Sequence, residues 1–257
     1  MNTNDESMMR LAVDTAVDAR LRSRPNPWVG AVVVAIDGQV FCGATMQPGE
    51  AHAEVVALQA AGANTHGATL YTTLEPCSHT GKTGPCTQVI IDAKISRVVV
   101  GIIDPDKQVA GNGIKQLRDA GITVDVGVEQ TLVAQQLAPY LHHRRTGRPY
   151  VILKMAMTLD GRVTMPDSSQ WITGEIARKR VHQLRAESDA ILVGAGTVRA
   201  DNPSLTTRDV RGPSPRRVVL GNVLPTDNVN PCLEWTGSLP NLLDTLGSEG
   251  VIQLMVE

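Results

Sequence analysis

The chain has no excess of charge. Twenty-four lysines and arginines face 26 aspartates and glutamates, a net charge of -2 over 257 residues, and the basic residues are scattered rather than gathered into a stripe. A polyanionic nucleic-acid partner is therefore disfavoured. No apolar run reaches the ~18 residues that mark a membrane-spanning helix, so no membrane partner is expected. The opening Met1-Asn2-Thr3-Asn4-Asp5-Glu6 is polar and acidic, unlike a signal peptide, which makes the cytoplasm the expected compartment. Cysteine is sparse as well. Of the four, Cys42 and Cys232 stand alone and are expected to be free, buried thiols in a reducing compartment, with no disulfide. What the chain does have is apolar content, 42% of its residues, enough to build a core in each of two ordinary domains.

The other two cysteines have company. The stretch from His52 to Cys86 reads His52-Ala53-Glu54, then Pro76-Cys77-Ser78-His79-Thr80-Gly81-Lys82-Thr83-Gly84-Pro85-Cys86. One imidazole and two thiolates supply three ligands for zinc and leave the fourth tetrahedral position open, the arrangement of a catalytic site. Zinc makes water acidic enough to attack at pH 7, but displacing an amino group from a ring carbon also needs a proton carrier. Glu54 is the spare group for that task. Val55, Val56, Leu58 and the alanines up to Ala61 favour a short helix that Gly62 can end, and Pro85-Cys86 opens a second apolar run at Val89-Ile90-Ile91. A structural zinc site or unrelated buried cysteines would also contain these residue types. The glutamate and the two prolines weigh against both, and a zinc site requires the three ligands to lie within ~7 Å of one another.

His-x-Glu with Pro-Cys is half of the zinc nucleobase deaminase signature, but the gap between the cysteines is longer here. The spacer Cys77 to Cys86 resembles the deaminase half of the bifunctional riboflavin-biosynthesis deaminase/reductase family. Asn26, in Pro25-Asn26-Pro27-Trp28-Val29-Gly30, matches a position near the pyrimidine in that family, and a turn-forming asparagine is the plain alternative. His79 and Lys82 either face a substrate phosphate or shape the cysteine loop. Where the family commonly has a histidine ahead of Pro48-Gly49, this chain has Thr45 or a neighbour instead.

Taken in order, the pattern predicts an amphipathic helix near 5 to 21, a strand 29 to 36, a turn at Asp37-Gly38, a returning strand 39 to 44, and the helix after His52. Strands at 69 to 73, 97 to 102 and 122 to 126, alternating with helices near 113 to 120 and 129 to 145, imply a mostly parallel sheet between helix layers. This resembles a cytidine-deaminase-like fold. The segment His142 to Pro149 reads as a linker.

Tyr150-Val151-Ile152-Leu153-Lys154-Met155-Ala156-Met157-Thr158-Leu159-Asp160-Gly161 resembles the start of the family's reductase half, as do Ser169-Gln170-Trp171-Ile172-Thr173, Leu184-Arg185-Ala186 and Val193 to Arg208. By itself, Gly194 to Thr197 is a turn after a buried-strand candidate, Ala190 to Val193, that opens a short helix whose amides suit phosphate. The resemblance implies an α/β chain: a cytidine-deaminase-like three-layer domain, 1-146, followed by a dihydrofolate-reductase-like domain, 147-257. It places Ala156, Trp171, Thr197 and Asp201 against NADPH, and Ser169, Arg185, Leu205, Arg208 and Glu257 against the sugar phosphate. Guanidinium forks suit phosphate, although Arg185 alone on a helix reads as readily as a solvated surface residue. Lys154 either lies beside the hydride path or is a strand-edge lysine. In the family the strand at Gly250 to Glu257 runs on into a glycine-rich cofactor loop. The reductase domain is therefore expected to be incomplete here, and the chain to deaminate without binding NADPH tightly or reducing the ribose.

The implied activity is zinc-dependent hydrolytic deamination of 2,5-diamino-6-ribosylamino-4(3H)-pyrimidinone 5′-phosphate, followed by NADPH-dependent reduction of the ribosyl to a ribityl chain. The partner is that small molecule, and a homo-oligomer is expected. The competing readings are a zinc deaminase of another base or nucleotide with a degenerate C-terminal domain, and a zinc-stabilised binding module.

Overall fold

In the computed structural model, which describes residues 3–81, 84–163 and 171–257, the chain forms two compact units that divide between Arg145 and Thr146.

The first unit begins with helix α1 (Thr3–Ala16), which passes into a 3-10 turn at Val17–Ala19 rather than continuing to residue 21. Strands β1 (Gly30–Val34) and β2 (Val40–Ala44) form the expected hairpin, with Val34 opposite Val40. Helix α2 (Ala53–Ala61) follows, and Gly62, at φ 54°, ends it in a conformation that a side chain would resist. Then come β3 (Thr69–Leu74), α3 (Cys86–Asp92), β4 (Arg97–Ile102), α4 (Asn112–Asp119) and β5 (Thr123–Val126). The last expected helix is two, α5 (Gln130–Gln136) and α6 (Ala138–Thr146). Pro139 explains the break, because it has no N–H for the turn before it.

The sheet order is β2-β1-β3-β4-β5. Pairings β3 with β4 and β4 with β5 are parallel, while β1 is antiparallel to both β2 and β3. The sheet is therefore half antiparallel, because the hairpin enters it whole. Its central strands β3 and β4 are buried along nearly their whole length, as strands covered on both faces must be. Cys42 corrects an expectation. It is exposed, and Cys232 is only half-buried. Side chains alternate along a strand, and Gly43 is the residue that faces α2, so Cys42 points to the other side of the edge strand β2.

Gly43 sets the height of α2 above the sheet. A Cβ there would lie 2.3 Å from Ala57 N and 2.4 Å from Ala53 O, both backbone atoms of α2. Gly43→Ala must push the helix that carries Glu54 off the sheet, an overpacking cost of about 1–3 kcal/mol. Urea unfolding should show that loss. An unchanged midpoint would mean that α2 shifts freely.

The second unit contains β6 (Tyr150–Leu153), α7 (Glu175–Glu187), β7 (Ala190–Gly194), α8 (Ala195–Asp201), β8 (Arg216–Leu220), β9 (Leu233–Trp235), α9 (Leu239–Ser248) and β10 (Gln253–Val256). The buried strand expected at Ala190 to Val193 is β7, while the turn expected at Gly194 to Thr197 is already the start of the helix, with Gly194 as the cap of α8. The order is β6-β10-β7-β8-β9 with every pairing parallel. One core layer gathers Ile191, Val193, Val198, Leu205 and Met255 on one face, and another gathers Leu192, Val218, Leu242, Leu246 and Leu254 on the other.

Candidate metal centre and active site

Two helix starts and one loop meet at the end of the first sheet. His52 is the extended residue just before α2, Cys86 is the first residue of α3, and Cys77 lies in the loop after β3. His52 Nδ1 is 3.6 Å from Cys77 Sγ and 3.2 Å from Cys86 Sγ, and the three ligand atoms all lie within 4.8 Å of one another. Tetrahedral zinc, with bonds of about 2.0–2.1 Å to nitrogen and about 2.3 Å to sulfur, holds such atoms about 3.6 Å apart. The donor set and its spacing therefore fit that ion. Thiolate and imidazole donors also disfavour magnesium and calcium, which take oxygen.

The electrostatics point the same way. The Cys77 thiol is held down to about 4 by the Cys86 thiol that donates to it, with further help from the His52 ring and the Cys86 N–H, which donates to Cys77 Sγ at 3.4 Å. The Cys86 thiol is pushed up, first by keeping its proton on the bond to Cys77, then by burial and by the charge of Glu54. The Cys77 sulfur also raises the His52 imidazole above its ordinary value. Two sulfurs crowded against one imidazole do not both ionise readily by themselves, and a dication resolves that conflict.

Glu54 is 4% exposed on the first turn of α2. Burial, and then the Cys77 charge, push its carboxyl up to about 7. A cation at the neighbouring ligands would pull it back toward the ionised form, the state that can accept a proton.

A cavity of about 260 Å³ opens over these groups. Asn26, Thr45, His52, Glu54, Cys77 and His79 all line it, so the structure gathers every candidate of the first half except Cys86, which lies beneath, and Lys82, which is outside the described residues. Thr45 is buried, and its hydroxyl accepts from Val29 N at 3.1 Å, so it braces the Asn26 to Val29 turn. The far wall was not anticipated. Tyr140 donates to Asp104 at 3.0 Å, and Arg144 stacks on the Tyr140 ring and pairs with Asp106 at 3.3 Å.

In the second unit, Arg185 and Glu257 are brought together, with Nε and Nη2 donating to the two carboxyl oxygens at 2.8 and 2.9 Å. Both are largely buried, so Arg185 is not a solvated surface residue. Lys154 Nζ lies 3.6 Å from the same carboxyl. Arg208 donates to the Ser204 hydroxyl at 3.0 Å. The Leu205 side chain is 2% exposed and belongs to the core, so only its backbone can meet a ligand. Trp171 is exposed under the Arg178 guanidinium. Ala156 and Thr197 are half-buried and Asp201 is exposed at the end of α8, while Ser169 lies outside the described residues. His182, which no sequence pattern singled out, is buried 3.3 Å from Asp209.

Comparison with known proteins places these features. Residues 2–102 match the family model described as the cytidine and deoxycytidylate deaminase zinc-binding region, and residues 149–257 match that of the RibD C-terminal domain. The chain is 46% identical over 222 residues to the riboflavin biosynthesis protein RibD of Synechocystis sp., covering 86% of this chain and 60% of that protein. To the Bacillus amyloliquefaciens protein of the same name it is 49% identical over 205 residues, covering 79% of this chain and 55% of the other. The chain thus spans little more than half the length of these curated relatives. Among solved structures it is similar to Acinetobacter baumannii RibD, with TM-score 0.91 and 36% identity over 98% of this chain and 80% of that one. A Thermotoga maritima structure, described as a diaminohydroxyphosphoribosylaminopyrimidine deaminase/5-amino-6-(5-phosphoribosylamino)uracil reductase, gives 0.88 and 35% over the same shares. The fold class is the expected one, a cytidine-deaminase-like domain followed by a dihydrofolate-reductase-like domain. With two domain matches in series and a solved relative covered over four-fifths of its length, the chain belongs to the RibD family of riboflavin biosynthesis proteins.

Proposed function

We propose that this chain hydrolytically deaminates 2,5-diamino-6-ribosylamino-4(3H)-pyrimidinone 5′-phosphate in its first domain, 1-146, and that its second, 147-257, carries residues of the kind that hold NADPH and the ribosyl chain for reduction. The observation that carries the first half is the closure of His52, Cys77 and Cys86 into one ligand triangle beside buried Glu54. Bound there by those three residues, zinc supplies Lewis acidity that makes water a usable nucleophile near neutrality. Glu54 carries the two protons that the attacking water gives up, one to the adjacent ring nitrogen and the other to the amino nitrogen, so that ammonia leaves and the ring carbon keeps the oxygen as a carbonyl. Asn26 presents its amide to the ring edge, and His79 serves the substrate's phosphate side.

For the second half, the reading assigns Ala156, Trp171, Thr197 and Asp201 to NADPH and Ser169, Arg185, Leu205, Arg208 and Glu257 to the sugar phosphate, Leu205 through its backbone. The family match supports this, as does the cluster of Lys154, Arg185 and Glu257 at the ends of β6, α7 and β10. We also propose a cytoplasmic homo-oligomer. Thiol ligands and two further free cysteines suit a reducing compartment, and Val151, Leu153, Met155 and Met157 expose an apolar strip suited to self-association. Among the described residues, no helix is long and apolar enough to cross a membrane.

Ammonia release is the test. The purified chain should bind one zinc and release ammonia from the diaminopyrimidine ribosyl phosphate but not from cytidine. Turnover of cytidine in preference to that substrate would replace this reading with a deaminase of another base.

A further inference from the structure

We propose that Glu75 is a positioning residue for the zinc ligand Cys77, holding the Pro76-Cys77 segment against the start of α4. This inference rests on the zinc reading of His52, Cys77 and Cys86. Glu75 follows directly after β3 and is 4% exposed. Its Oε1 accepts from Gly113 N at 3.0 Å and Ile114 N at 3.2 Å, and its Oε2 accepts from Gly111 N at 3.0 Å and Asp104 N at 3.3 Å. Four backbone donors thus converge on one side chain. The first three begin α4, where N–H groups have no partner within the helix, and the fourth belongs to the loop leaving β4.

The clamp closes on the residue that precedes the ligand. A Cβ at Gly113 would stand 2.0 Å from Pro76 O, so α4 touches the Pro76 backbone with no room between them. On the far side, Thr87 N donates to Cys77 O at 3.2 Å. The Cys77 backbone is therefore held between the starts of α3 and α4, and only the α4 contact depends on a side chain. That side chain must accept on both oxygens. A glutamine keeps the shape but turns one acceptor into an NH₂ that faces N–H groups, breaking two bonds and opposing two donors to a third.

Metal affinity is the readout, because groups that orient a ligand typically contribute 10- to 100-fold to it. In the full chain, Glu75→Gln should weaken zinc binding by about 10- to 100-fold in competition with a chromogenic chelator. It should also lower the cobalt-thiolate absorption at equal cobalt loading, with the far-ultraviolet circular dichroism unchanged. Wild-type zinc affinity in folded Glu75→Gln would overturn the inference. So would a lower melting temperature of the metal-free protein with affinity unaltered, since that describes a structural residue only. Should Glu75→Gln not fold, Gly113→Ala decides in its place: it leaves the carboxyl intact and pushes α4 off Pro76, and zinc affinity equal to wild type would overturn the inference. A wild-type chain that binds no zinc would sink the site reading itself, an outcome distinct from equal binding by wild type and variant.

Discussion

Glu54→Gln is expected to lower deamination by about 10²- to 10⁴-fold, the usual contribution of a positioned acid/base, while zinc content stays at one per chain. Glutamine fills the same volume, so the packing of α2 on the sheet survives, and the ligands His52, Cys77 and Cys86 are untouched. What disappears is a carboxyl that takes a proton from water and gives it to the departing nitrogen. Steady-state ammonia release paired with metal analysis separates the outcomes. Full activity in the variant would remove Glu54 from the chemistry, and loss of zinc would make it a structural neighbour of the site.

Arg185→Ala should destabilise the second unit by about 3–5 kcal/mol, because removing one member of a buried pair strands the other. Glu257 is the member left behind, with Lys154 at 3.6 Å as its remaining cation. Burial pushes the Glu257 carboxyl up, but the Arg185 guanidinium, aided by Lys154, outweighs it and holds the group below its ordinary range. The sign of the pH dependence follows. A carboxyl with a depressed folded-state value stabilises fully above its unfolded value of about 4.3, and that contribution is lost as pH falls through the lower folded value. Denaturant unfolding of wild type and Arg185→Ala at pH 7 and again below pH 4 should therefore show a gap that narrows on acidification. A gap below about 1 kcal/mol at pH 7 would place the pair among the weak surface bridges.

The three proposed zinc ligands stood out in the sequence because each carries its chemistry in its own side chain and lies beside a helix start or a proline. His52 is followed by Glu54 and an apolar run, and Cys86 follows Pro85. Glu75 was not legible, since its partners are backbone N–H groups of residues 104 to 114 that no residue letter reveals. One trace was available: an acidic residue closing the otherwise uncharged strand run Thr69 to Leu74. The Arg185 and Glu257 pairing was hidden for a related reason, as 72 residues separate the two and the packing of α7 against β10 brings them together. The hairpin was visible at Asp37-Gly38, but the sheet expected to be mostly parallel is half antiparallel, because the place of that hairpin beside β3 depends on long-range packing. Cys42 shows the limit of composition, because burial of a strand residue depends on the face it takes, and Gly43 decides that face through α2.

Zinc K-edge X-ray absorption on the purified chain tests the central claim most directly. Two sulfurs at about 2.3 Å and two nitrogen or oxygen atoms at about 2.0–2.1 Å are expected, from Cys77, Cys86, His52 and one open position, with the sulfur signal halved in Cys86→Ser. Four sulfurs, a shell of oxygen and nitrogen alone, or a spectrum indifferent to Cys86→Ser would contradict an open zinc site at these three residues.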